Sequence, residues 1–144
     1  MKKILLVEDN GIITRELEDA LANYNIEKAY SVCSALDRWI LDGPFECIIV
    51  DLQISPEGLS PEENGFYTPL FGMAFINKIK DLTNKEEEDN LKKRIIIYSG
   101  YVKELKQHSL YNEHKLWQTK DLTICEKDTT SISKVVNMAL NILK

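Results

Sequence analysis

The sequence predicts an α/β fold: one doubly wound domain over residues 1–144, with a five-stranded parallel sheet between two helical layers. Three observations point to it. Short apolar runs of strand length alternate with segments of helical periodicity along the whole chain. Four of those runs end in residues suited to handling a phosphate, as strands do where an open α/β sheet binds its ligand. A length of 144 residues, 44% hydrophobic and 28% charged, is enough for one substantial core and no more.

The elements follow in order. Ile4-Leu5-Leu6-Val7 forms the first strand and runs into Glu8-Asp9. From Gly11 to Tyr24, Ile12, Ile13, Leu17, Ala20 and Leu21 fall on one helical face. Ile26–Tyr30 is a short second strand, after which Ser31 caps a helix reaching Leu41. Asp42-Gly43-Pro44 stops that helix, and Phe45–Val50 is the third strand, ending at Asp51. A helix over Gly72–Leu82 presents Met73, Ile76 and Ile79, and the acidic Asn84–Asn90 stretch reads as a solvated loop or helix end. Arg94–Tyr98 is the fourth strand, running into Ser99, and a helix spans Val102–Tyr111. Leu122–Glu126 is the fifth strand, ending at Lys127. The last helix turns Ile132, Val135, Val136, Ala139, Leu140 and Leu143 inward.

Five strands and five helices in alternation make a three-layer sandwich with the flavodoxin-like order 2-1-3-4-5. Its switch point lies between strands one and three, which sets Glu8-Asp9 beside Asp51. Two adjacent carboxylates at a strand end cannot both enter a core without large cost. A Mg²⁺ ion would explain their closeness, whereas a solvated turn with Asn10 or Asp9 capping the helix would also serve. Asp51, Ser99 and Lys127 each have a plain reading as turn or surface residues. Together on one sheet edge they can bind a phosphoryl group: metal on one side, ammonium and hydroxyl on the others, a carboxylate in line.

Other function classes lose ground. A net charge of −5 disfavours nucleic-acid binding. The opening apolar run is too short for a signal core or a membrane span, so a cytoplasmic protein is expected. Cys33, Cys47 and Cys125 are odd in number and apolar in setting, as reduced core thiols are. His108 and His114 have poor ligand spacing. No second Asp lies two residues after Asp51 and no Gly-rich loop follows a strand, which disfavours a small Mg²⁺ hydrolase or a flavin module.

Lys2-Lys3-Ile4-Leu5-Leu6-Val7-Glu8-Asp9-Asn10, Asp51-Leu52, Tyr98-Ser99-Gly100-Tyr101 and Lys127 occur in this order. The set resembles the receiver domain of two-component response regulators, here standing alone. That resemblance implies that Asp51 accepts a phosphoryl group from a phosphohistidine on a sensor histidine kinase or phosphotransfer protein. It implies Mg²⁺, or Mn²⁺ in its place, held by Glu8, Asp9, Asp51 and the Gln53 backbone carbonyl. Lys127 would pair with Asp51 and then with the phosphate, and Ser99 would swing to hydrogen-bond it, moving the following loop. By the same resemblance the protein is not a turnover enzyme. It would contact a downstream protein, or a second copy of itself, through its fourth helix, fifth strand and fifth helix.

The chain departs from that pattern in three places. Residues of about 54–70 form an insertion before the Gly72 helix, read as a loop from Pro56, Gly58, Pro61, Gly65 and Pro69 and expected to be a lid or partner-facing flap over the Asp51 site, or else a passive insertion. Asp128 follows Lys127 where the family has proline, and it either caps the last helix or repels phosphate. Ile124 replaces the family's switch aromatic, leaving Trp117 or Tyr101 to relay. The competing reading is a degenerate receiver that acts as a phosphorylation-independent adaptor or dimerisation module.

Overall fold

The computed structural model describes residues 1–108, 117 and 121–144. Its five strands are β1 (Lys3–Val7), β2 (Asn25–Ala29), β3 (Cys47–Val50), β4 (Ile95–Ser99) and β5 (Thr123–Glu126). They form one parallel sheet in the order β2-β1-β3-β4-β5, the flavodoxin-like topology. Seven helices are present among the described residues: α1 (Gly11–Ala20), α2 (Val32–Asp42), α3 (Pro61–Tyr67), α4 (Phe71–Asp81), α5 (Glu88–Arg94), α6 (Val102–Gln107) and α7 (Ser131–Leu143).

The apolar runs divide between the two faces with the period of a strand. Leu5, Val7, Ile48, Val50, Ile95 and Ile97 join Val32, Phe75, Ile76 and Ile79 in the core beneath α2 and α4. Ile4, Leu6, Ile49, Ile96, Tyr98 and Cys125 join Leu17, Val135, Ala139 and Leu143 beneath α1 and α7. Ser31 caps α2 with a reciprocal bond to Ser34, and Asn10 caps α1 by accepting from the Ile12 and Ile13 amides.

A helix stands in the insertion, which was read as a loop, and another in the acidic stretch, read as a loop or helix end. In the insertion, Ser60 caps α3 in a capping box with Glu63, and Pro61 takes the first helical turn, where its missing N–H costs nothing. In the acidic stretch, Lys85–Glu87 forms one 3₁₀ turn before α5. Glu88 and Asp89 lie in the first turn of α5 and Lys92, Lys93 and Arg94 in its last, so the charges follow the helix dipole. Three of the face assignments fail: Ile12 is 72% exposed, Leu140 36%, and Ala20 is exposed as well. The helix after β4 ends at Gln107; Tyr111, its expected end, lies outside the described residues.

The insertion is docked, not draped over the strand ends. Ser55 bridges to Ser31, and the Val32 and Cys33 amides donate to the Ser55 and Glu57 carbonyls at 3.1 and 2.8 Å. Gly58, at φ +100°, backs onto Cys33. Helix α3 lies along α4 with a Glu63–Lys78 ion pair of 2.7 Å, and Tyr67 and Leu70 are buried in the core. The described contacts of this segment run to α2, to α4 and, through the Thr68 carbonyl 2.9 Å from His108 Nε2, to the end of α6.

Candidate functional site

Parallel register assembles the site. Val7 pairs with Val50, so the residues that follow, Glu8 and Asp51, leave adjacent strands side by side. The Asp51 amide donates to the Val7 carbonyl at 2.9 Å, and the Glu8 amide to that of Ala29 at 2.9 Å. Strand β4 runs on through Tyr98 and Ser99, and Ser99 pairs with Glu126, so that the Lys127 amide donates to the Ser99 carbonyl at 3.0 Å. Glu8, Asp9, Asp51, Ser99 and Lys127 thus share one edge, as the sequence predicts.

Lys127 is the hub. Its Nζ lies 2.6 Å from Glu8 Oε1 and 3.0 Å from Asp51 Oδ2. The Asp51 Oδ1 atom accepts from the Gln53 amide at 3.2 Å, and Glu8 Oε2 from the Asn10 amide at 3.2 Å. Asn10 caps α1, one of the two caps the sequence offered, so the Asp9 carboxylate is not used for that purpose. The Glu8–Lys127 contact has no counterpart among the sequence expectations, which pair Lys127 with Asp51 alone. Glu8 reaches it because its side chain is one methylene longer than that of an aspartate.

The electrostatics are those of a site short of positive charge. Glu8 and Asp51 are 6% and 5% exposed and share the Lys127 ammonium, and Asp9 beside them is exposed. Burial, then the Asp51 charge, pushes the Glu8 carboxyl up from 4.5 to about 7 despite its bond to Lys127. For Lys127 burial acts downward, but the two carboxylates outweigh it and raise the ammonium above its ordinary range. Carboxylate oxygens of Glu8, Asp9 and Asp51 lie within 4.8 Å of one another. An all-oxygen donor set with uncompensated negative charge suits a hard divalent cation, so these residues can hold a metal ion. The cysteines do not compete for it. All three are free, and burial raises the Cys47 thiol to about 12.

The remaining expected residues surround this cluster. Ser99 is fully buried, its Oγ accepting from the Tyr101 amide at 3.1 Å. The Gln53 main chain meets Asp51 through its amide. Gly72 presses on Asp51: a Cβ there would sit 2.2 Å from the Asp51 carbonyl oxygen. Asp128 turns its carboxylate towards the start of α7, accepting from the Thr130 amide at 2.8 Å with Lys134 at 3.8 Å; this is a turn ahead of the helix, whose N-cap is Thr130 and takes no side-chain bond, so the capping reading is not realised. The Lys127–Asp128 peptide is not cis. Tyr101 is half-buried against the α2–α4 core, and the buried Trp117 donates its amide to Asn77 Oδ1 at 3.3 Å.

No family model and no curated protein matches the chain. Solved structures do. The chemotaxis response regulator CheY4 of Vibrio cholerae is 16% identical, with 99% of this chain and 98% of that one covered at a TM-score of 0.62. Response regulator TrrA of Thermotoga maritima, in complex with Mg²⁺–BeF, is 16% identical over 99% of both chains, at 0.64. A chain from the complex of histidine kinase ThkA with TrrA is 19% identical over the full length of both, at 0.63. This chain therefore has the CheY-like receiver fold of response regulators over nearly its whole length.

Proposed function

We propose that the protein is a phosphoacceptor that takes a phosphoryl group from a partner phosphohistidine onto Asp51. One observation carries the reading: a buried aspartate with one oxygen on the Lys127 ammonium, beside two more carboxylates that leave room for a cation. Such an arrangement is costly as a mere structural device, since it crowds like charges where water is scarce.

An Asp51 carboxylate oxygen attacks phosphorus and the P–N bond breaks with its electron pair left on nitrogen; the proton already on the other ring nitrogen lets the histidine leave as neutral imidazole. Lys127 holds Asp51 in place beforehand and then neutralises a phosphate oxygen. Bound at Glu8, Asp9, Asp51 and the Gln53 carbonyl, Mg²⁺ or Mn²⁺ would supply the charge that lets an anionic donor approach. Ser99 trades the Tyr101 amide for the phosphate, and the β4–α6 turn moves with it. The protein acts as a stoichiometric acceptor, not a turnover enzyme, and works in the cytoplasm; no helix among the described residues is long and apolar enough to cross a membrane. Its partners are a histidine kinase or phosphotransfer protein upstream and a protein target, or a second copy, at the α6–β5–α7 face.

Incubation with Mg²⁺ and acetyl phosphate, followed by intact mass spectrometry, tests this. The expected result is one added phosphoryl group, absent in Asp51→Asn and in chelator. No adduct and no beryllofluoride trapping would overturn the proposal and leave the adaptor reading in its place.

A further inference from the structure

We propose that Tyr98 is a positioning residue for Lys127, anchored through Ser131 to the start of α7; this rests on the phosphoacceptor reading and deepens it. The Lys127 Nζ lies over the Tyr98 ring, 5.4 Å from its centroid, while it also contacts Glu8 at 2.6 Å and Asp51 at 3.0 Å. An ammonium within about 6 Å of an aromatic face is held by the ring quadrupole, the more so where water is excluded. Tyr98 is only 2% exposed, so its ring cannot drift.

The hydroxyl fixes the ring. Tyr98 OH and Ser131 Oγ are 2.7 Å apart, both buried. Ser131 Oγ also donates to the Asp128 carbonyl at 2.9 Å and accepts from the Asp128 amide at 2.9 Å. One hydroxyl has one proton to give, and Asp128 takes it, so Tyr98 is the donor to Ser131. Every polar atom of this link is thereby satisfied. The Asp128 amide adds a further bond to Ser131 Oγ, one that proline, which lacks an N–H, could not supply. The residue that departs most plainly from the receiver pattern is thus part of the anchor. The tyrosine, the aspartate and the serine form a unit that sets the ammonium at a fixed height above β4, within reach of Asp51.

Two substitutions separate ring from hydroxyl. Tyr98→Phe keeps the ring and loses the anchor; Tyr98→Leu loses both. The side-chain methylene protons of Lys127 should be shifted upfield by the ring in wild type, retain most of that shift in Tyr98→Phe, and lose it in Tyr98→Leu. Phosphorylation of Asp51 by acetyl phosphate should slow about five- to thirty-fold in Tyr98→Leu, the loss of one desolvated cation–π contact. Tyr98→Phe and Ser131→Ala should fall between that and wild type, and by similar factors. A Tyr98→Leu protein reacting at the wild-type rate, or wild-type Lys127 protons without an upfield shift, would overturn the proposal. Should Tyr98→Leu fail to fold, equal rates in wild type, Tyr98→Phe and Ser131→Ala would overturn it as well. If wild type takes no phosphoryl group, the phosphoacceptor reading fails, while the Lys127 shift still decides the placement.

Discussion

Replacing Glu8 with glutamine should change how stability depends on pH, and the sign follows from the site. In the folded protein burial and Asp51 hold the Glu8 carboxyl at about 7, against an ordinary 4.5 in the unfolded chain. Between those values the folded state keeps a proton that the unfolded state has lost. Folding stability contributed by Glu8 is therefore complete below about 4.5 and falls as pH rises through 7. At about 1.4 kcal/mol per pH unit, the span corresponds to about 3 kcal/mol. Lys127, raised by its carboxylate neighbours, loses its contribution only above its ordinary 10.5, outside this window. The lowered Glu63 and Asp128 are common to both proteins and cancel in the difference. Glu8→Gln still offers Lys127 an oxygen but has nothing to titrate. In urea denaturation under chelator, wild type should lose about 3 kcal/mol more than Glu8→Gln between pH 4.5 and 8. Saturating Mg²⁺ should remove most of that gap by compensating the ionised carboxylate. Parallel pH profiles for the two proteins, or a wild-type stability that climbs across this range, would refute the reasoning.

Two other substitutions probe the frame around the site. Gly72→Ala drives a Cβ to 2.2 Å from the Asp51 carbonyl oxygen and 2.8 Å from Leu52 Cα, both backbone atoms that cannot rotate away. It should cost about 3 kcal/mol, as overpacking does, and slow Asp51 phosphorylation in the surviving folded fraction; unchanged urea midpoint and rate would show that α4 can shift freely. Gly58→Ala combines a φ of +100° with a Cβ 2.8 Å from that of Cys33. A loss of about 2 kcal/mol is expected from the backbone term alone, measured by the same denaturation, with the phosphorylation rate unaffected because the segment docks on α2 and not over Asp51.

The sheet and the site edge were legible because one physical fact wrote both: strands buried by helices are apolar until they reach the carboxyl edge, where polar residues begin. Asp51, Ser99 and Lys127 each follow such a run. What escaped was of two kinds. Helices α3 and α5 carried readable signals, Ser60-Pro61-Glu62-Glu63 as a capping box and Glu88-Asp89 against Lys92-Lys93-Arg94 as a dipole pattern. Pro61 and Gly65 read as loop punctuation, and the acidic run as solvation, outweighed them. The Glu8–Lys127 pair and the Tyr98–Ser131 bond carried no signal, because they join residues brought together only by the finished fold. Ile12 was misplaced because periodicity gives a face but not its edges.

The insertion contributes Ile54, Tyr67 and Leu70 to the α2–α4 core, and its backbone supplies partners for the first amides of α2. Residues held in this way do not open by themselves. Uncovering the Val32 and Cys33 amides requires Ser55 and Glu57 to leave, which exposes the apolar side chains beneath. In the language of hydrogen exchange, the Val32 and Cys33 amides are expected to open together with this segment and not by separate fraying. The extra stretch of chain and the start of α2 are thereby tied to one another, and the loss of either uncovers the other.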